Sequence, residues 1–399
     1  MIQDRDIIVI GIQPWDIELG SNCKNIAIEF AKKNRVLYVN YPLDRLTVWR
    51  QKNNELVKKR LEVMKGKKED LVQVGDNIWN LSPRTIIESV SQIRFDGIFD
   101  PLNHLNNKRY AKQILLAVKR LNFSNYILFN DSDMFRGFYM KELLKPELSV
   151  YYSRDNLLAV DFWKTQGLRM EPALMAKSDL VTANSSYLAD LARKCNPNSY
   201  YVGQGCDLTI YDKKLIKGVP ADISGISAPV IGYTGVLYAL RLDTVILSAV
   251  ARYNPKWNIV LIGPEDDTFR NSDLHQLPNV HFLGNKKPEE LPAYVNCFDV
   301  AINPQKLNEV TRGNYPRKID EYLALGKPVV ATKTEAMSVF AEHTYLADNP
   351  EDYGPLIDRA LAENRVELEL QREIFARGHT WENSVEEICK AIEKVKNEK

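Results

Sequence analysis

Short β-branched runs alternate with helix-period segments along nearly the whole chain, in two successive series, and few folds accommodate that pattern. In the first series the strand-like runs are residues 7–10, 35–39, 77–81, 126–129, 148–152, 180–183 and 199–202, with helix-period segments such as 22–33 and 108–121 between them. In the second they are residues 229–233, 258–263, 280–283, 299–303, 328–332 and 345–347. Alternation of this kind builds βαβ units around a parallel sheet. At 399 residues the chain exceeds what one core usually fills, so the two series predict two domains. We place a first domain at 1–206, a linker at 207–228 where the texture turns polar around Gly218, Pro220 and Gly225, a second domain at 229–376, and a closing helix at 377–399 that crosses back to the first. The expected class is α/β: two Rossmann-like, doubly wound domains facing across a cleft, with ligand-facing loops at the carboxyl ends of the strands.

Charge narrows the partners. Lys and Arg number 53 against 52 Asp and Glu, so no global field draws the chain to nucleic acid and any anion site is local. Cys23, Cys195, Cys206, Cys297 and Cys389 are scattered, without a CxxC pair or a His at metal-ligand spacing, which fits small buried thiols in a reducing compartment. The opening MIQDRDIIVIGI lacks the basic region and longer apolar stretch of a secretory signal, and no apolar run reaches the ~20 residues that a bilayer span needs. The expected location is the cytoplasm. One stretch points to the inner face of a membrane: residues 45–68 hold nine Lys and Arg, interleaved with Leu46, Trp49, Leu56, Val57 and Leu61. That basic amphipathic pattern suits anionic lipid or a lipid-diphosphate acceptor, and equally a solvated helix with one packed face.

The segment richest in chemistry is residues 316–332, PRKIDEYLALGKPVVAT. It predicts a helix opening near Pro316, a left-handed cap at Gly326, and Pro328 leading into a buried strand. Basic Arg317 and Lys318 beside a helix start suit an anion, and Glu321 one turn inward suits the two hydroxyls of a ribose. Spacing alone is equally satisfied by a well-capped αβ unit.

The run closely resembles the signature helix of the retaining GT-B glycosyltransferases of the "glycosyl transferases group 1" kind, P-x-K-x-x-E-Y-L-A-x-G-K-P-V-V-A-T. The resemblance implies an enzyme that moves a sugar from a UDP- or GDP-sugar donor to a saccharide or lipid-linked acceptor in surface polysaccharide synthesis, with retention and without a metal or other cofactor. It implies that Glu321 binds the donor ribose. It makes Lys318 and Arg241, the latter just beyond Ile231-Gly232-Tyr233-Thr234-Gly235, the catalytic cations that stabilise the departing diphosphate, with Gly235 and Gly263 letting backbone approach the phosphates; Arg241 is equally well read as an exposed helix arginine. Leu283 and Gly284 match the turn that reads the base, and Thr311, Arg312 and Tyr315 lie in the loop expected near the donor sugar. One departure stands out: the family's E-x7-E pair would place its first glutamate at Gly313, and Glu309 precedes that position by four residues. Two other readings therefore stay open, a nucleotide-sugar-binding subunit without catalysis and a GT-B epimerase acting on the nucleotide sugar itself.

In the first half, Gly20 and Ser21 stand just before the first helix, where small residues allow close backbone approach to a ligand. Together with Trp15 and residues 36–42 they resemble the branch that includes teichuronic-acid-type polysaccharide glycosyltransferases. Asp155, at a strand end, is the polar candidate beside the reacting sugar, with a simple helix cap as the alternative. Asp131 and Asp133 form a D-x-D after a strand, which holds a metal in the other major glycosyltransferase fold; here they are as readily caps or acceptor-side groups.

Overall fold

The computed structural model describes residues 2–16 and 21–398. It divides into two compact units, Met1–Gly205 with Trp381–Lys399, and Cys206–Thr380. The stretch 207–228, expected as a linker, belongs to the second unit: Leu208, Tyr211 and Ile223 are buried in its core. Polar composition misled there because three widely spaced apolar residues suffice to anchor an irregular segment.

The first unit is built on a sheet ordered Ser199–Tyr201, Leu180–Ala183, Leu148–Ser153, Ile127–Asp131, Asp6–Gly11, Arg35–Val39, Ile78–Leu81 and Leu71–Gly75. Only the last pair is antiparallel. Every residue of Asp6–Gly11 is buried, as a central parallel strand covered on both faces requires. Alternation divides its side chains. Ile7 and Val9 join Ile26 and Phe30 of the helix Asn22–Ala31 and Ile388 and Ile392 of the helix Trp381–Asn397. Ile8 and Ile10 join Tyr110 and Ile114 of the opposite helix, Asp96–Leu121. That helix begins well before the periodic segment at 108, and Pro101 lies inside it. The chain winds outward in both directions from Asp6–Gly11, so the topological switch point lies between it and Ile127–Asp131.

The second unit has six parallel strands ordered Val280–Gly284, Asn258–Ile262, Val230–Thr234, Val300–Asn303, Val329–Thr332 and Tyr345–Ala347. Its switch point falls between Val230–Thr234 and Val300–Asn303. The helix Lys318–Ala324 turns Ile319, Tyr322 and Leu323 into the core beside Val260 and Ala301. Gly326, with φ +70°, ends it in the left-handed conformation that any side chain would resist.

Candidate functional site

The second unit's switch point is assembled by one docking contact. The backbone N–H of Thr234 donates to the Tyr322 hydroxyl at 2.9 Å, which seats the helix Lys318–Ala324 on the carboxyl end of the first strand. Lys318 Nζ then stands 5.0 Å from the centroid of the Tyr233 ring. Gly235 follows with φ +133°, and a Cβ there would meet Nζ at 2.9 Å. Gly263, φ +149°, lies against the same turn: a Cβ on it would come within 2.0 Å of the Gly235 carbonyl oxygen. The two loops are joined by Gly235 N–H donating to the Ile262 carbonyl at 2.8 Å, and only glycine permits so close a stack. Arg241 is exposed beyond them, its carbonyl accepting from Lys306 N–H at 2.8 Å. Neither Lys318 nor Arg241 has a carboxylate partner among the described residues. Two cations without an ion-pair partner among the described residues, beside a glycine-lined turn, provide the electrostatics of an anion site.

Glu321 stands one helical turn from Lys318, partly buried, with the Tyr211 hydroxyl donating to Oε2 at 3.1 Å. Burial lifts its carboxyl above the ordinary range, while Lys318 and Arg317 pull the other way. At the facing strand end, Asn303 Nδ2 and Gln305 Oε1 are buried without a partner among the described residues. Gly284 pairs with Ile262, and with φ +69° it has open space where a side chain would go; its neighbour Leu283 leans into the core.

In the first unit the candidates are held by arginines. Arg154 donates through Nε to Asp131 Oδ1 at 2.8 Å and through Nη1 to Asp155 Oδ2 at 2.9 Å. Asp131 is fully buried, so desolvation raises its carboxyl although Arg154 opposes the shift. Asp133 accepts Arg136 Nε at 2.7 Å and caps the backbone of Arg136 at 3.0 Å. Both carboxylates of the D-x-D are thus neutralised by protein cations, and no three His, Cys, Asp or Glu side chains among the described residues are grouped to hold a metal. Asp155 keeps about a third of its side chain exposed. Gly20 lies outside the described residues.

Residues 45–68 form two short helices, Arg45–Arg50 and Glu55–Met64. Several of their cations are spent internally: Arg45 on Glu88, Lys58 on Glu55, Arg60 on Asp16 and Lys68 on Glu62. Arg50, Lys52, Lys59, Lys65 and Lys67 have no ion-pair partner among the described residues, and Trp49 is 73% exposed among them. No helix of the described residues is long and apolar enough to cross a membrane.

The sequence profile of the family described as "Glycosyl transferases group 1" matches residues 228–363. The second unit carries a group 1 glycosyl transferase domain. TuaH of Bacillus subtilis (strain 168), a glycosyltransferase assigned to teichuronic acid biosynthesis, is 27% identical over 251 residues, 59% of this chain and 62% of TuaH, so less than two thirds of that relative is spanned. Anabaena HepE, crystallised in complex with UDP, superposes with a TM-score of 0.65 at 15% identity, covering 98% of this chain and all (100%) of HepE. Sucrose-phosphate synthase of Thermosynechococcus elongatus gives 0.63 at 14% identity, covering 99% of this chain and 100% of its own. HepE is also solved with UDP-glucose. At these identities the likeness establishes the fold, GT-B, two Rossmann-like units in this chain order.

Within the group 1 domain, three expected site residues make their contacts away from Gly235 and Lys318. Thr311 is fully buried, its hydroxyl donating to the Lys306 carbonyl and accepting Asn308 N–H, so it pins its own loop. Tyr315 is a core residue, its ring 5.3 Å from Phe340. Arg312 pairs through Nε with Glu335 at 3.3 Å and lines a separate depression of about 700 Å³ with Lys333 and Asp348; neither Gly235 nor Lys318 reaches it. These three were chosen by proximity in sequence, whereas a short loop alternates its side chains between core and solvent. Conversely, Tyr211, bonded to Glu321, and the amides of Asn303 and Gln305, each with a buried atom unpartnered among the described residues, were not among the expected site residues. Tyr211 lay in the stretch taken for a linker. The two amides sit where the fold reverses strand order, a position the strand pattern alone can indicate.

Proposed function

We propose that this chain is a glycosyltransferase that moves a sugar from a UDP- or GDP-sugar to a saccharide or lipid-linked acceptor in surface polysaccharide synthesis. One observation carries the reading: the Lys318 ammonium, without an ion-pair partner among the described residues, beside the stacked turns of Gly235 and Gly263, with Glu321 one turn away. The donor diphosphate lies on these glycines. Lys318 and Arg241 offset the charge that grows on the leaving diphosphate, so the protein's own cations do what a metal would otherwise do. Glu321 accepts the ribose hydroxyls, and its second oxygen is held for that task by Tyr211. The match to the group 1 family, the identity with TuaH and the UDP-glucose complex of HepE support this reading, and the family resemblance supports retention at the anomeric carbon.

Lys318→Ala is expected to weaken UDP binding by about 1.5–3 kcal/mol, a loss of roughly ten- to a hundredfold, since it removes a charge-assisted contact. Calorimetric titration of UDP and GDP, with turnover of the same donors, tests the assignment; unchanged binding and turnover in both Lys318→Ala and Glu321→Ala removes it. A second reading has a specific observation behind it. Gly313 stands where the family's first glutamate falls, which fits a nucleotide-sugar-binding subunit without catalysis. Product analysis with a panel of nucleotide sugars separates the two: transfer supports the enzyme, binding without conversion the subunit. The exposed cations and Trp49 of residues 45–68 support a peripheral position at the inner face of a membrane, and flotation with anionic vesicles in moderate salt tests it.

A further inference from the structure

A cavity of about 290 Å³ opens in the first unit at the carboxyl ends of its central strands. Ile12 follows the strand Asp6–Gly11, Tyr41 follows Arg35–Val39, and Phe135 follows Ile127–Asp131, so the cavity adjoins that unit's switch point. Much of its polar lining is already committed. Asp44 accepts from Thr47 N–H at 3.1 Å and from the Ser89 hydroxyl. Glu88 takes Arg45 Nε at 2.7 Å and Arg109 Nη1 at 2.8 Å. Asn106 spends both ends of its amide on the Glu88 backbone, at 2.8 and 2.9 Å, and Arg136 is bound to Asp133. None of the buried, unpartnered side-chain atoms among the described residues lines this cavity. At the group 1 domain's switch point, by contrast, Asn303 and Gln305 stand unsatisfied.

What this cavity offers an occupant is therefore apolar surface: Ile87, Val90, Phe135, Phe162 and Trp163, with Phe135 and Trp163 packed ring to ring at 5.5 Å. Phe162 lies at the mouth, 52% exposed. The Tyr41 and Ser91 hydroxyls and the outer N–H groups of Arg136 remain for a polar occupant, but the ring surface is matched by a hydrocarbon chain, which needs none of them. The helix Arg45–Arg50 is fastened to the same wall by Leu46 N–H donating to the Ser89 hydroxyl at 2.9 Å. Leu46, Trp49 and Arg50 share one face of it, since they stand three and four residues apart. Arg50 and, just beyond, Lys52 have no anionic partner among the described residues.

Apolar rings in a cavity whose wall is bonded to a helix bearing an exposed indole and cations without an ion-pair partner among the described residues are complementary to one kind of molecule, an amphiphile with a hydrocarbon chain and an anionic head. We propose that this cavity holds the first segment of the hydrocarbon chain of a lipid phosphate, the lipid part of the acceptor, with Arg50 and Lys52 facing its phosphate. The inference rests on the reading of the chain as a transferase with a lipid-linked acceptor, and names where that lipid is held.

Farnesyl monophosphate, kept below its micellar concentration, is the probe, titrated calorimetrically beside inorganic phosphate and methyl α-glucoside. Saturable binding of farnesyl monophosphate and none of the other two is expected. Phe162→Asp, a surface change that puts a carboxylate at the mouth, should weaken it tenfold or more, and Ser91→Trp, which plugs the cavity, should do the same. UDP binding, measured on the same samples, should stay at the wild-type value, and retention of the first unit's cooperative transition in calorimetry reports that both variants are folded. Absence of farnesyl monophosphate binding, binding indifferent to both variants, or saturation by methyl α-glucoside overturns the proposal. Because the donor site is read separately by UDP, such a failure leaves the transferase reading standing, and loss of UDP binding in the wild type would sink that reading instead.

Discussion

A single β-carbon separates an open turn beside Lys318 from a blocked one. At Gly235 it would meet the Lys318 ammonium at 2.9 Å in a backbone conformation, φ +133°, that side chains avoid. Gly235→Ala should therefore displace the lysine and lower UDP affinity about tenfold, with a stability loss of about 1–3 kcal/mol, readable by titration and thermal melting together. A second residue tests the linkage of charge to burial. Glu171 is buried and takes the Tyr151 hydroxyl at 2.6 Å; burial lifts its carboxyl to about 7, although Tyr151 pulls it down. The folded value lies above the unfolded one of 4.5, so between these values the folded state holds the extra proton. Stability from this group is complete below that window, drains away as pH rises through it, and stays lost above about 7. Glu171→Gln should thus stabilise the first unit at pH 8 by on the order of 3 kcal/mol and change little at pH 5, as melts at the two values will report.

At the scale of elements, the group 1 domain depends on how one seven-residue helix is seated. Tyr322→Phe keeps the ring but leaves the Thr234 N–H buried and unpaired, which should cost about 1–3 kcal/mol and loosen the position of Lys318. Denaturant unfolding and UDP titration should move together in this variant; a stability loss with unchanged UDP affinity would mean that the hydroxyl seats the helix without positioning the cation. This helix was legible in the sequence because Pro316, Gly326 and Pro328 punctuate it, and punctuation is local. The strand runs were legible for the same reason, each being a short β-branched stretch. The edge strand Leu71–Gly75 was not, since it lies half in solvent and only its neighbour specifies it. Nor were the partners of charged groups: nothing near Asp155 announces that Arg154 would bridge it to Asp131, and nothing near Glu321 points to Tyr211, 110 residues away. Lys318 and Glu321 themselves were legible, because the motif that carries them is contiguous.

At the scale of the molecule, the second unit is inserted into the first. The helix Trp381–Asn397 contributes Trp381, Val385, Ile388 and Ile392 to a core begun by Ile7, Val9 and Phe30. Burying four such side chains contributes roughly 6–12 kcal/mol, comparable with the entire stability of a domain. A chain ending at Thr380 should consequently lose the first unit's cooperative transition in calorimetry while the second still melts and still binds UDP. The same arrangement sets a timetable for synthesis. The ribosome delivers every residue of the second unit before it delivers the last helix of the first, so the half that starts earliest matures last. Until then Ile26 and Phe30 wait uncovered, and the nascent amino-terminal half is the part of this protein that a chaperone has most reason to hold.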